Sequence, residues 1–297
     1  MEWIDKTVDD CSHIYSDGRN VPSLFETDED KIKALNLLAI TALEANVVLL
    51  MEVAMTTHFH CVVAGSQKNR WLFKREMDRK LEVRRSWLGV KTRINVRKDD
   101  ISTENELKDK IMYDFRNPVA AGYGRMPWHY VGGPGDIFFS DHIARISSGR
   151  PIRDLRVTER RALFHTRIEL PAGWTYWPNG LIVPDCYIDY QRLERLFKSP
   201  KGMMAFLYQS KEKEAKEDAI CAREFILDMG EKELRHEAKR LSRSLFGEEY
   251  VARLSDKERI NIAQRMWASR STFSVSALSR ATHLDKHLLE MILLPQS

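Results

Sequence analysis

Ala54-Met55-Thr56-Thr57-His58-Phe59-His60-Cys61-Val62-Val63 is the stretch whose reading decides this chain. It reads as a buried strand carrying two imidazoles. Side chains alternate across a strand, so His58 and His60 project from one face and Phe59 from the other. Two imidazoles at that spacing form a ready pair of metal ligands. A solitary His-x-His is more often packing than ligation, so its surroundings have to decide.

Some fifty residues on stands Tyr113-Asp114-Phe115-Arg116-Asn117-Pro118. A phenol and an amide four residues apart share one helical face. A divalent ion beside a phenol suits polarising a phosphodiester and attacking it through tyrosine. A single tyrosine near a helix end is ordinarily a core residue with a wet hydroxyl. Together the two segments carry more than either does.

The joined pattern resembles the single-tyrosine HUH transposases, and within them the REP-associated tyrosine transposases. It consists of His58-Phe59-His60 after a hydrophobic strand, then Tyr113, three residues, Asn117-Pro118 and a short run to Gly122. The resemblance spans residues 10 to 140, and its second motif is the more specific. Thr57 stands where the family usually has asparagine, and Tyr130-Val-Gly-Gly-Pro134 replaces its downstream Tyr-Pro-Trp-Ser-Ser. The resemblance implies an α+β fold with a ferredoxin-like antiparallel sheet, the histidines on a central strand. It also implies Mg²⁺ or Mn²⁺ held by His58, His60 and Asn117, with Tyr113 as nucleophile and no nucleotide cofactor. The implied substrate is single-stranded DNA with hairpin repeats, cut and rejoined through a 5′-phosphotyrosine. Asparagine at position 117 leaves a single tyrosine on that helical face. The alternative reading is a derived protein that binds and marks such repeats without cutting.

Charge points the same way. The net +4 hides 12 basic and 3 acidic residues between Lys68 and Lys98, so the rest of the chain is net acidic. A solvated helix face would explain one basic helix. Beside a phosphodiester-cleaving motif, the concentration favours a nucleic-acid groove, with Lys68, Arg70, Lys74, Arg75, Arg79, Arg84, Arg85, Lys91 and Arg93 as contacts. Trp71, Phe73 and Trp87 are available to stack on bases or to pack a core. Seven further arginines lie from Arg145 to Arg167. The four cysteines show no Cys-x-x-Cys spacing and read as reduced packing residues, with no zinc site. No run approaches a membrane span, and the N-terminus lacks signal-peptide features, which predicts a cytoplasmic protein. As a DNA-acting protein it is expected to be nucleoid-associated, and either a monomer or a homodimer.

Organisation follows from periodicity. Residues 1–140 are expected to form the HUH domain, 141–210 a basic, irregular connection, and 211–297 a helical region. His13 to Tyr15 is a candidate first strand, and Asp28 opens a helix with an Ile32, Leu35, Leu38, Ala39, Ala42 stripe. Asn46 to Met55 is a strand with which His58 to Val63 pairs or continues. Ser66 to Leu88 is a basic helix ended by Gly89. Val90, Thr92, Ile94 and Val96 alternate as a strand. Thr103 to Arg116 is the tyrosine helix, with a Thr103/Glu106 capping box and Pro118 as terminator. Val131-Gly-Gly-Pro-Gly135 reads as an ordinary loop. Tyr187 to Phe197 and the charged stretch Lys211 to Phe246 read as helices. Asp256 to Ala268, Val275 to Ala281 and Lys286 to Leu294 have helix-turn-helix spacing, with His283 and His287 as surface or DNA-facing residues.

Overall fold

A computed structural model describes residues 10–18, 23–121, 130–133, 138, 147–203, 205–207, 234–269 and 275–293. Gly122 and Tyr123, Pro134 and Gly135, Arg145, Cys221 and the 211–233 part of the charged stretch lie outside them, as does the N-terminus.

Four strands and three helices come first. They are β1 (Cys11–Ser16), α1 (Asp28–Ala45), β2 (Val48–Ala54), β3 (Phe59–Ala64), α2 (Gln67–Trp87), β4 (Val96–Asp100) and α3 (Glu104–Ala120). The sheet order is β2-β3-β1-β4, every neighbour antiparallel. That is the ferredoxin-like arrangement, with β3 and β1 central. The chain is α+β.

Local chemistry sets the boundaries. Thr27 caps α1 by accepting from the Asp30 backbone, while the Asp30 carboxylate accepts from the Thr27 N–H. Asp28, Glu29 and Asp30 sit at its positive dipole end, and Asn46 closes it in the left-handed region at φ 52°. The Met55 N–H donates to the His58 carbonyl at 2.8 Å and closes the β2–β3 hairpin. On α2, Phe73, Met77 and Leu81 recur every four residues and are fully buried. Gly89 follows α2 at φ +70°, and a Cβ there would lie 2.8 Å from the Ala252 carbonyl oxygen. Both facts require glycine.

Two expected boundaries differ. The strand expected over Val90–Val96 instead begins at Val96, pairing Ser16↔Val96 through Ser12↔Asp100. Its Arg-Lys-Asp-Asp sequence suits an edge strand with one row of polar groups toward water, which hides the strand from a hydrophobic count. The tyrosine helix runs through Pro118 to Ala120. Proline removes the hydrogen bond to the Asp114 carbonyl, but Ala121 still bonds Asn117 at 2.9 Å, so the turn survives. Glu106 completes the cap one residue early, accepting from Ser102 instead of Thr103.

The next stretch packs into the same apolar core. Ile152, Phe164, Trp174, Ile182, Tyr187, Ile188 and Phe197 join the cluster that holds Ile14, Phe59 and Leu35. This stretch contains β5 (Arg150–Pro151), α4 (Val157–Phe164), β6 (Thr175–Tyr176) and α5 (Tyr190–Phe197). The Asp189 N–H donates to the Leu49 carbonyl at 2.8 Å, so this segment covers part of the β2 edge.

The C-terminal region is helical: residues 234–246, α6 (Asp256–Ser269), α7 (Val275–Thr282) and α8 (Lys286–Leu293). Leu234, Ala238, Ile262, Ala263, Met266, Leu278 and Leu289 form a second apolar core. The α7–α8 turn passes through His283 at φ 56°. His287 is exposed, whereas His283 is half-buried; burial, with Arg235 and Arg259 nearby, pushes its pKa down to about 3. Among the described residues, no helix is long and apolar enough to cross a membrane.

Candidate metal and tyrosine site

Strand register places the rings. Tyr15 stands opposite His60 and His13 opposite Val62, so His13, Tyr15 and His60 share one face of the sheet. Their rings stack, His13 on Tyr15 with centroids 4.8 Å apart and His13 on His60 at 5.4 Å. His58 lies just before β3, its ring set at 81° to His60 with centroids 4.9 Å apart. A Cβ on Gly18 would fall 2.3 Å from His58 Nδ1, so glycine is what lets the β1 end approach this ring.

Helix α3 lies across the same face. It brings the Tyr113 ring edge-on to His60, centroids 5.6 Å apart. Tyr113 is 37% exposed, whereas Asp114, the next residue, is fully buried. One turn on, Asn117 is half-buried, and its side-chain nitrogen has no hydrogen-bond partner among the described residues. The two motifs, far apart in sequence, therefore meet through Tyr113 and His60.

The structure adds two residues that the sequence reading missed. His13 Nε2 lies 3.0 Å from Asp114 Oδ1, His60 Nδ1 lies 3.4 Å from His13 Nε2, and His60 Nδ1 lies 3.7 Å from Asp114 Oδ1. His13, His60 and Asp114 form a buried group whose ligand atoms lie within 4.8 Å of one another, close enough to hold a metal ion. A hint was present, since His13-Ile14-Tyr15 repeats the alternation of His58-Phe59-His60.

Electrostatics favours neutral imidazoles here. Burial holds the His58 pKa down at about 4, against a smaller opposing pull from Asp17. Burial also drives His60 well below the usual histidine value, reinforced by His58 and His13. A neutral ring keeps the lone pair that a metal needs. Tyr15 is raised by burial and by Asp99, so its phenolate is disfavoured.

The basic stretch sits elsewhere. Arg70, on α2, donates to the Cys11 carbonyl and to Ser12 Oγ, and Ser12 points away from the His13 face. Helix α2 thus covers the side of the sheet opposite α3. Arg70 is buried, and Arg84 donates to the Leu24 carbonyl at 3.0 Å and pairs with Asp30 at 2.5 Å. Lys74 pairs with Asp78, and Arg85 with Glu82 and the Val90 carbonyl. Lys68, Arg75, Arg79, Lys91 and Arg93 are exposed. Phe73 is core, and Arg253 lies 3.6 Å over the Trp87 ring, fastening the segment before α6 to α2. Trp71 is 52% exposed, with Lys98 Nζ 4.9 Å from its ring centroid.

No protein-family model matches the chain, and no curated protein matches it. A solved structure of a REP-associated tyrosine transposase bound to a REP hairpin is similar over 49% of this chain and 86% of its own, at 13% identity and a TM-score of 0.32. Likeness of that degree says nothing about chemistry, which has to come from the side chains of this chain.

Proposed function

We propose that the chain is a metal-dependent single-stranded DNA transesterase with Tyr113 as nucleophile, acting on hairpin-forming repeats. The observation that supports it is Tyr113 set against His60 on the ring-lined face of the sheet. The donor chemistry fits a divalent ion: two buried imidazoles and a buried carboxylate stand together beside a partly exposed phenol. When bound, such an ion supplies positive charge against a non-bridging phosphate oxygen. His60 is common to every ligand set considered, and the resemblance adds His58 and Asn117.

The Tyr113 oxygen attacks phosphorus, and the bond from phosphorus to the 3′ oxygen breaks. The phenolic proton leaves, and the departing oxygen takes one up as a 3′-hydroxyl. One phosphate ester forms for each one broken, so rejoining by the reverse step calls for no nucleotide. Exposed Lys68, Arg75, Arg79, Lys91 and Arg93 are the proposed contacts to DNA phosphates outside the site. Arg70, Lys74, Arg84 and Arg85 serve internal pairs first.

Tyr113→Phe keeps the ring packed on His60 and deletes only the hydroxyl. With a labelled hairpin oligonucleotide and Mn²⁺ on a denaturing gel, wild type should give a slow-migrating covalent adduct. The variant should bind the hairpin and give none. A pure binding protein would give no adduct in either case, and an adduct persisting in the variant would move the nucleophile to another tyrosine.

A further inference from the structure

We propose that this chain seats its divalent ion on His13 Nε2, His60 Nδ1 and Asp114 Oδ1, and not on His58, His60 and Asn117. The proposal takes metal dependence from the functional reading, but it stands whether or not the bound ion serves DNA cleavage.

Geometry carries it. The three donor atoms form a triangle with edges of 3.0, 3.4 and 3.7 Å. Its centre lies about 2.0 Å from all three atoms, and bonds from zinc-like ions to imidazole nitrogen and carboxylate oxygen run about 2.0–2.2 Å.

Hydrogen bonding explains the same triangle poorly. If His13 Nε2 donates its proton to Asp114, it has no lone pair left to accept from His60 Nδ1. If both rings donate to Asp114, the second contact is 3.7 Å, beyond a hydrogen bond. An ion at the centre uses all three facing lone pairs.

The other histidine is engaged differently. His58 Nδ1 lies 2.8 Å from Thr57 Oγ1 and against Gly18. Two nitrogens and one carboxylate select Mn²⁺, Zn²⁺ or Co²⁺ over Mg²⁺, which prefers oxygen ligands and keeps its water. Asp114 follows Tyr113 directly, so an ion held here also ties the tyrosine helix to β1 and β3.

The test is calorimetric titration of metal-free protein with Mn²⁺ and with Zn²⁺. Asp114→Asn and His13→Asn should each weaken binding at least tenfold, while His58→Ala and Asn117→Ala should change it less than about threefold. The reverse pattern would overturn the assignment. Should the buried variants unfold, ¹⁵N spectra of wild-type histidine rings decide the matter. Zn²⁺ should shift His13 Nε2 and His60 Nδ1 and leave His58 in place; a shifted His58 nitrogen with an unmoved His13 would refute the site. Wild type that binds neither ion would defeat both this site and metal dependence. Binding at this triad without DNA cleavage would defeat only the functional reading.

Discussion

The two faces of the sheet are built from the same strands and present different side chains. Under α1 and α2, Ile14, Phe59, Phe73, Met77 and Leu81 pack as an apolar layer, and the buried Arg70 reaches the Cys11 carbonyl, Ser12 and Asp100. Under α3, His13, His60 and Asp114 are equally buried, yet Asp114 Oδ2 and His13 Nδ1 have no hydrogen-bond partner among the described residues. Leaving a buried polar atom unpaired costs about 1–3 kcal/mol; Glu52 Oε2, on the face shared with Cys61 and Ile14, is another such atom. One face is apolar core, and the other gathers His13, His60 and Asp114 beside Tyr113.

That division is most exposed to a core truncation. Phe73→Ala should lower unfolding free energy by about 3–5 kcal/mol in urea melts, because a fully buried ring leaves a cavity under α2. Any protein that stays folded should still form the covalent DNA adduct. Loss of the adduct in folded protein would mean that the two faces are not separable.

A smaller effect concerns Glu52, buried on β2 and accepting from the Tyr187 hydroxyl at 2.5 Å. Burial raises its pKa from 4.5 to about 8. Between those values the folded protein holds a proton that the unfolded chain has released. Stability should therefore fall as pH rises from about 4.5 to about 8, then level off. Glu52→Gln should remove that slope and stabilise the protein at pH 8 by roughly 2 kcal/mol in urea melts. An unchanged slope would show that Glu52 ionises freely.

The smallest expected change in stability is on the outer surface of α2. Arg75→Ala with Arg79→Ala alters two exposed side chains and should shift stability by less than about 0.5 kcal/mol. If these residues touch phosphate, the pair should lower the salt dependence of single-strand binding by about one to two counterions. No change would remove this helix from the DNA surface.

Much of this fold is readable from residue order, because its signals are local. The α1 cap, the Phe73, Met77, Leu81 stripe and the alternation around His58 and His60 each lie within one element. What escaped was non-local or masked. His13 and Asp114 are 101 residues apart and meet only when β1 lies beside β3 with α3 across them. Strand β4 escaped because its charges suit an edge strand and a loop alike, and the continuation of α3 escaped because proline disfavours a helix without forbidding it. The basic run was visible, but its facing was not: the alternation of Ser12 and His13 puts α2 on the side away from Tyr113.

The most direct measurement is a mass map of the covalent adduct formed with a hairpin oligonucleotide and Mn²⁺. Trypsin releases Tyr113 in the peptide Ile111-Met-Tyr-Asp-Phe-Arg116, well separated from Tyr15, which stacks on His60. The account predicts that the nucleotide mass is found on that peptide alone, attached through phosphate to Tyr113. Attachment at Tyr15, or no attachment while the protein binds both metal and hairpin, would contradict it.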